Sequence, residues 1–456
     1  MPPRFWWLKR GAVGFGLLLV MLCILRFWWG HEAERRIEAV ARKAHARGEP
    51  FYPQDFAEPS VPDAENAAVP ILMAIKQLRI DLTNGLPNLE NGETGTPLPG
   101  ELPQLMTMIR HFRSEMSLVR QAHGRASVFF IEPPEQPPYG LNDYRAMSEI
   151  LVMAANYEHA IGHDGEAVDY LNDAITLTDT FDRGGKLVID HLVTEAMSQL
   201  WTDFIQNFAM GASVSDGPGA SATSAQVRTL IAELVNDDAP RAAPVVAARA
   251  AGIEAIDYLP QTDLTVDLFA NKVLAPMYKL DGLRVQRFQS ANAQAYLQPT
   301  YAAARLKLSY SPGGDSSALE RLAHSVAGYR VYPPLEQVRF HFQMLTERRV
   351  CAVMLAIRLY QFDHRNKLPA TLSELVPAYL PAVPRDPFDP ADGPIRYLPM
   401  HDPPVLYSLG LNLTDDGGSS TFNVGNVDPP WSNKDAVFPL EVHPRVSPAQ
   451  DYQSDK

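Results

Sequence analysis

The hydrophobic pattern divides the chain into an apolar start, a long helical middle and a proline-rich end. From Gly11 to Leu25 there are fifteen consecutive residues without a charge, and Phe27, Trp28 and Trp29 extend the apolar stretch to about 20 residues, interrupted by Arg26. A helix needs about that length to cross the ~30 Å hydrocarbon core of a bilayer. Phe5-Trp6-Trp7 and Phe27-Trp28-Trp29 stand at its two ends, as aromatic side chains do at the headgroup level, and Arg26 can snorkel outward. Arg26-Phe27-Trp28-Trp29 lacks the small residues of a signal-peptide cleavage site, and Leu22 before Cys23 does not suit a lipoprotein signal. Residues 1–30 are therefore expected to stay attached as a transmembrane anchor. Arg4, Lys9 and Arg10 favour an inside N-terminus; Arg26, Arg35, Arg36, Arg42 and Lys43 follow the span, but large domains cross largely regardless of such counts. The expectation is a single-pass protein of a bacterial inner membrane with an extracytoplasmic body.

Beyond the anchor the pattern is helical. Residues 31–62 read as a charged helical stalk ending in a Pro-rich linker. An α-helical array is then expected over 63–330. Asp63 is placed to cap a helix reaching Leu82, with Val69, Leu72, Ile75 and Leu78 on successive turns. Leu105, Ile109, Phe112, Met116 and Val119 mark a second helix. Between Leu141 and Phe181, Ala154, Tyr157 and Ile161 precede an Asp164-Gly165 turn, and Ala167, Leu171 and Ala174 follow at helical spacing. Leu187–Met210 supplies a further helix, Gly211–Ser224 reads as a flexible loop, and helical patterns continue over Ala225–Val235, Pro244–Tyr258 and Leu264–Leu308, where Pro276 and Pro299 would start, break or kink helices.

The composition shifts after residue 330. A long helix is expected from Leu335 to about His364, with Val338, Phe342, Leu345, Val353 and Ile357 on one stripe. Fifteen of the 39 prolines fall in the last 96 residues. Thr371-Leu372-Ser373-Glu374 is a capping-box pattern. Short strands are expected at Ile395–Leu398, Val405–Leu409 and Thr421–Val424, and residues 441–456 read as a disordered tail. The fold class is thus mainly α: an anchor, a helical array, and a small α+β module within 331–440.

Two stretches resemble known families. NYEHAIGHDGEAVDYLNDAITL resembles one tetratricopeptide hairpin, without the first-helix Trp and the closing Pro. A helix ending in aromatic and charged residues, then LP-x-x-L-x-x-L, YLP-x-x-P-x-DPF and YSLG with DDGG, resembles the globular domain of type II secretion major pseudopilins over Leu355–Gly418. That resemblance implies calcium binding by C-terminal loop oxygens, for which Asn412, Asp415, Asp416 and Asp428 are the candidates here. Gly417-Gly418 would let the backbone wrap an ion; the plainer reading is a solvated Asp-Gly turn. Gly14-Phe15 echoes a prepilin-peptidase site, yet Leu19 stands where the family has Glu, so incorporation into a pilus is not expected.

Composition narrows the function classes. A net charge of −13 disfavours nucleic-acid backbones, and two cysteines exclude a disulfide framework or a Cys-rich metal site. No GxSxG elbow and no phosphate-binding glycine loop occur. His159 and His163, four apart beside Glu158, Asp164 and Glu166, form an i, i+4 pair that zinc could use, but without an HExxH order or a third ligand they read as helix-end residues. His341 stands alone and is assigned to surface or packing, and Cys351 to a buried, inert position. The leading expectation is a membrane-anchored, non-catalytic scaffold that binds an unidentified protein partner and no nucleic acid. An accessory role in a type II secretion or pilus-like assembly and a metal-dependent hydrolase are the alternatives.

Overall fold

The computed structural model describes residues 5–443, except 57–60, 84–99, 126, 129–139, 186, 258–264, 309–317, 319–320, 322–333, 420–429 and 433. The third expected strand, Thr421–Val424, and the expected tail beyond 443 lie outside these residues. The chain is mainly helical, with one long apolar N-terminal helix and a small antiparallel sheet. Two compact units form. One comprises 1–57, 248–293 and 309–333, and the other 58–247, 294–308 and 334–456.

In the smaller unit, α1 runs unbroken from Trp6 to His45, about 60 Å at the rise of an α-helix. It is long and apolar enough to span a membrane. Its first half leaves Val13, Phe15, Leu17, Val20 and Ile24 exposed, whereas Ala33, Ile37, Ala41 and Ala44 on its second half are buried. That second half packs with Phe51, Ile256 of α9 (Asp238–Asp257), and Met277, Leu280 and Leu283 of α10 (Thr265–Tyr296). Arg26 Nη2 donates to the Lys272 carbonyl at 2.7 Å, and Arg249 pairs with Glu49 at 3.3 Å. Gly282 permits the crossing of α9 and α10. A Cβ there would stand 2.2 Å from the Ala255 carbonyl oxygen, a distance no side chain tolerates.

The larger unit is built on the helices α2 (Ala68–Thr83), α3 (Leu102–His111), α4 (Arg113–Arg120), α5 (Leu141–Ala160), α6 (Asp164–Gly184), α7 (Val188–Phe208), α8 (Ser224–Val235), α11 (Tyr301–Leu308) and α12 (Pro334–Asp363). The α5–α6 hairpin forms where the pattern predicts it, although Asp164 opens α6 rather than lying in the turn. The remaining differences have local causes. Asn66, not Asp63, caps α2 by accepting from the Ala68 N–H at 3.0 Å, and the buried stripe becomes Ala68, Ile71, Ala74, Ile75 and Leu78. The predicted second helix divides at Phe112 into α3 and α4. Pro299 lies between α10 and α11, whereas Pro276 is accommodated within α10.

The expected flexible loop at 211–224 is held in place. The Ser213 N–H donates to Asp164 at 2.5 Å, Val214 bridges Ala222, and Asp216 accepts from the Ser224 N–H and hydroxyl. The largest difference is in α12. Residues Val350 to Ile357 are all fully buried, so over this stretch the helix is buried on every face rather than along a single apolar stripe. Its Arg348 guanidinium, also buried, pairs with Asp179 of α6 at 3.2 Å and donates to the Glu233 carbonyl of α8.

The α+β module closes the core at the C-terminal side. Thr371–Glu374 opens a single 3₁₀ turn, Leu372–Leu375. Strands β1 (Arg396–Leu398), β2 (Val405–Ser408) and β3 (Ala436–Pro439) pair antiparallel in the order β1-β2-β3, with Tyr397 opposite Leu406 and Leu406 opposite Phe438. The first two strands lie where the sequence pattern places them; β3 was not legible, because its four residues, AVFP, are a short apolar run without alternation. Asp386 of the DPF segment organises this region. One oxygen accepts from the Ser408 hydroxyl at 2.7 Å and the Phe388 N–H at 2.9 Å, and the other accepts from the Leu409 N–H at 2.9 Å.

Candidate functional site

The larger unit carries one polar cluster that its own hydrogen bonds do not complete. His191 and Glu195 lie one turn apart on α7, Asp182 stands in the last turn of α6, and His341 projects from α12. Asp182 Oδ1 is 2.9 Å from His191 Nδ1, which leaves His191 Nε2 facing Glu195 Oε1 at 3.4 Å. The His341 ring centre is 5.4 Å from that of His191 and 5.1 Å from that of Tyr296. Among the described residues, His191, Glu195 and His341 are the group of three whose ligand atoms all lie within 4.8 Å of one another. His191, His341 and Asp182 are buried, and the Glu195 side chain is nearly so.

Burial makes the missing contacts costly. His191 Nε2, Glu195 Oε1, Asp182 Oδ2 and both ring nitrogens of His341 are buried without a hydrogen-bond partner. An unmade hydrogen bond at a buried polar atom typically costs ~1–3 kcal/mol. Burial by itself would lower the His191 pKa. The Asp182 charge and hydrogen bond, with Glu195, outweigh it and push the imidazole up to about 10. Burial raises the Glu195 carboxyl, and burial followed by the His191, Arg241 and Arg349 charges drives His341 well below the ordinary imidazole range. The positive charge of His191 thus stands between two carboxylates, one at each ring nitrogen, beside a neutral second imidazole.

The residues singled out from sequence meet different ends. Asp415 accepts from Arg396 Nε at 2.9 Å, from the Tyr407 hydroxyl at 3.2 Å and from the Gly417 N–H at 3.0 Å. Asp416 accepts from Asn412 Nδ2 at 2.7 Å and lies 3.6 Å from Lys434 Nζ. The Asn412 side-chain oxygen Oδ1 accepts from the Thr414 N–H at 3.0 Å. Arg396 also reaches Asp389 at 2.8 Å and Asp386 at 3.5 Å, so a guanidinium sits among the loop carboxylates. Asp428 lies outside the described residues.

His159 and His163 do not converge. His159 Nδ1 is 2.7 Å from Asp164, and His163 Nδ1 is 3.0 Å from Glu158. Cys351 is buried with its thiol toward the Thr202 carbonyl, and burial raises its pKa well above the ordinary value. His341, assigned from sequence to surface or packing, is a packing residue, fully buried beside His191. The sequence signal for this cluster was the His191-x-x-x-Glu195 spacing, which puts both side chains on one face of a helix; nothing local joined it to His341, 146 residues beyond Glu195.

No protein-family model, curated protein or solved structure matches the chain.

Proposed function

We propose that this protein is a membrane-tethered, non-catalytic scaffold that holds a helical array and a pseudopilin-like α+β module outside the cytoplasm at a bacterial inner membrane, where it engages another protein. The observation that carries the reading is the two-part character of α1: an exposed apolar half followed, without a break, by a half buried in folded protein. Such a helix joins an apolar span to the smaller folded unit with no break in the helix between them. The hairpin α5–α6, packed in turn by α7, supports the likeness to a tetratricopeptide unit, whose neighbours must complete its buried face. Helical arrays of this kind offer extended surfaces to protein partners.

The order of pseudopilin-like motifs favours, as an alternative reading, an accessory role in a secretion or pilus-like assembly. Fractionation and protease protection in whole cells and spheroplasts test the tether. The expected result is a membrane-bound chain whose body is cleaved only once the periplasm is opened. Recovery in the soluble fraction, or a body protected within spheroplasts, overturns it. Crosslinking before detergent extraction tests the partner, and recovery of the chain with no stoichiometric companion counts against the scaffold.

A further inference from the structure

We propose that His191, Glu195 and His341 bind a divalent transition-metal ion of the zinc class, held inside the helical array between α7 and α12. This site is independent of the tethered-scaffold reading and stands or falls separately from it.

The donor set comes first. Two imidazoles and a carboxylate form a three-ligand set that zinc accepts, whereas calcium and magnesium require shells of oxygen. The geometry is compatible. Ligand atoms at ~2.0–2.2 Å from a common zinc ion lie at most about 4 Å apart, and these three are all within 4.8 Å of one another before any ion draws them in. The donors have no partner outside the set. His191 Nε2 and Glu195 Oε1 face only each other, at 3.4 Å, and both nitrogens of His341 are buried without a hydrogen bond, so a cation that displaces the proton of His191 Nε2 engages all three side chains.

The surroundings fit the same ion. Asp182 accepts from His191 Nδ1–H, the carboxylate–histidine arrangement that fixes a ligating ring and leaves Nε2 for the metal. The carboxylates of Asp182 and Glu195 together balance a double positive charge. The nearest competing cations are already engaged. Arg349 is held by Asp237 and donates to the Arg385 carbonyl at 2.7 Å, and Arg241 Nε lies 3.5 Å from Asp237. The rings of Tyr296 and Phe342 flank His341, so the ion would be walled by apolar surface. Because every donor is carried by a helix, the ion cross-links two elements distant in sequence, and a water is left to complete a tetrahedral shell.

The test uses the full chain, purified in detergent, stripped with a chelator and titrated with Co²⁺ while visible absorption is recorded, followed by Zn²⁺ competition and thermal unfolding. The expected result is saturation at about one equivalent with the d–d bands of a four-coordinate site, displacement by zinc, and a higher melting temperature on zinc addition. His341→Gln should abolish the bands and the zinc-induced rise while melting like the stripped parent. Asp182→Asn should keep the bands and weaken zinc by about 10–100-fold. His159→Gln and His163→Gln should change neither. The proposal is overturned if the stripped parent develops no cobalt bands, or if the same bands persist in both His341→Gln and Glu195→Gln. Should His341→Gln fail to fold, the parent titration and Glu195→Gln decide the matter.

Discussion

In the C-terminal module a single guanidinium, Arg396, reaches Asp386, Asp389 and Asp415, while around His191 two carboxylates share one imidazole and a second imidazole has no partner at all. Both neighbourhoods are rich in ionisable groups. The first carries its own counter-charge on a neighbouring strand, so its acids are satisfied within the chain. The second gathers donors and acceptors whose needs the chain leaves open. The difference separates acidity as a compositional feature, visible in a run such as Asp415-Asp416, from incomplete coordination, which only three-dimensional packing creates.

Removing the internal counter-charge should have the largest effect. Arg396→Ala leaves buried Asp386 and nearly buried Asp389 facing each other without a cation, and breaking such a pair costs ~3–5 kcal/mol when fully buried. Arg396 is partly exposed, so the lower end, about 3 kcal/mol, is the expected loss in chemical denaturation. A loss below ~1 kcal/mol would mean that the module does not depend on this guanidinium.

A second effect belongs to the contact between α12 and the module. Glu347 of α12 accepts from Trp431 Nε1 at 2.6 Å and from the Thr202 hydroxyl at 3.3 Å. Burial, reinforced by the Asp203 charge against those two hydrogen bonds, raises its carboxyl from 4.5 to about 7. A carboxyl raised in the folded state favours folding while protonated, so stability from this group is full below pH ~4.5 and declines as pH rises toward 7. Glu347→Gln cannot ionise. Its stability relative to the parent should therefore improve between those pH values, by on the order of 3 kcal/mol at pH 8. A difference that does not change with pH would remove the group from the pH response.

The histidine cluster should respond in the opposite sense to Arg396. In metal-stripped protein, His341→Leu deletes two buried nitrogens that lack partners and keeps an apolar side chain in their place, so stability should rise by about 1 kcal/mol. A marked loss would show that His341 has a partner in solution even without an ion. The smallest effect is expected at Lys434, which is largely exposed and 3.6 Å from Asp416. Lys434→Met should shift stability by less than ~0.5 kcal/mol.

These contrasts explain what could be read from the residues alone. Helices with strong period, such as α5, α6 and α7, and the long apolar N-terminal helix were legible because each is announced by its own local pattern. The full burial of Val350–Ile357 was not, since an apolar stripe on α12 looks the same whether one neighbour covers it or several do. Asp415 and Asp416 drew notice because they are adjacent, and the chain turns one to Arg396 and the other to Asn412 and Lys434. His191 and Glu195 share a helix face, but their convergence with His341 depends on how α7 packs against α12, and no short window of sequence contains that.

The unbroken course of α1 also bears on how the protein is made. Its stalk residues Ile37, Ala41 and Ala44 are buried against Ile256, Met277 and Leu280, which leave the ribosome roughly 200 residues later. At ~5–20 residues per second, synthesis alone keeps that apolar surface waiting for about 10–40 s after the N-terminal helix has emerged. The helix long and apolar enough to span a bilayer is thus among the first elements to appear and among the last to find its packing partners. During that interval the nascent stalk is a surface for chaperones to shield, and the small unit closes only when the distant half of its core arrives.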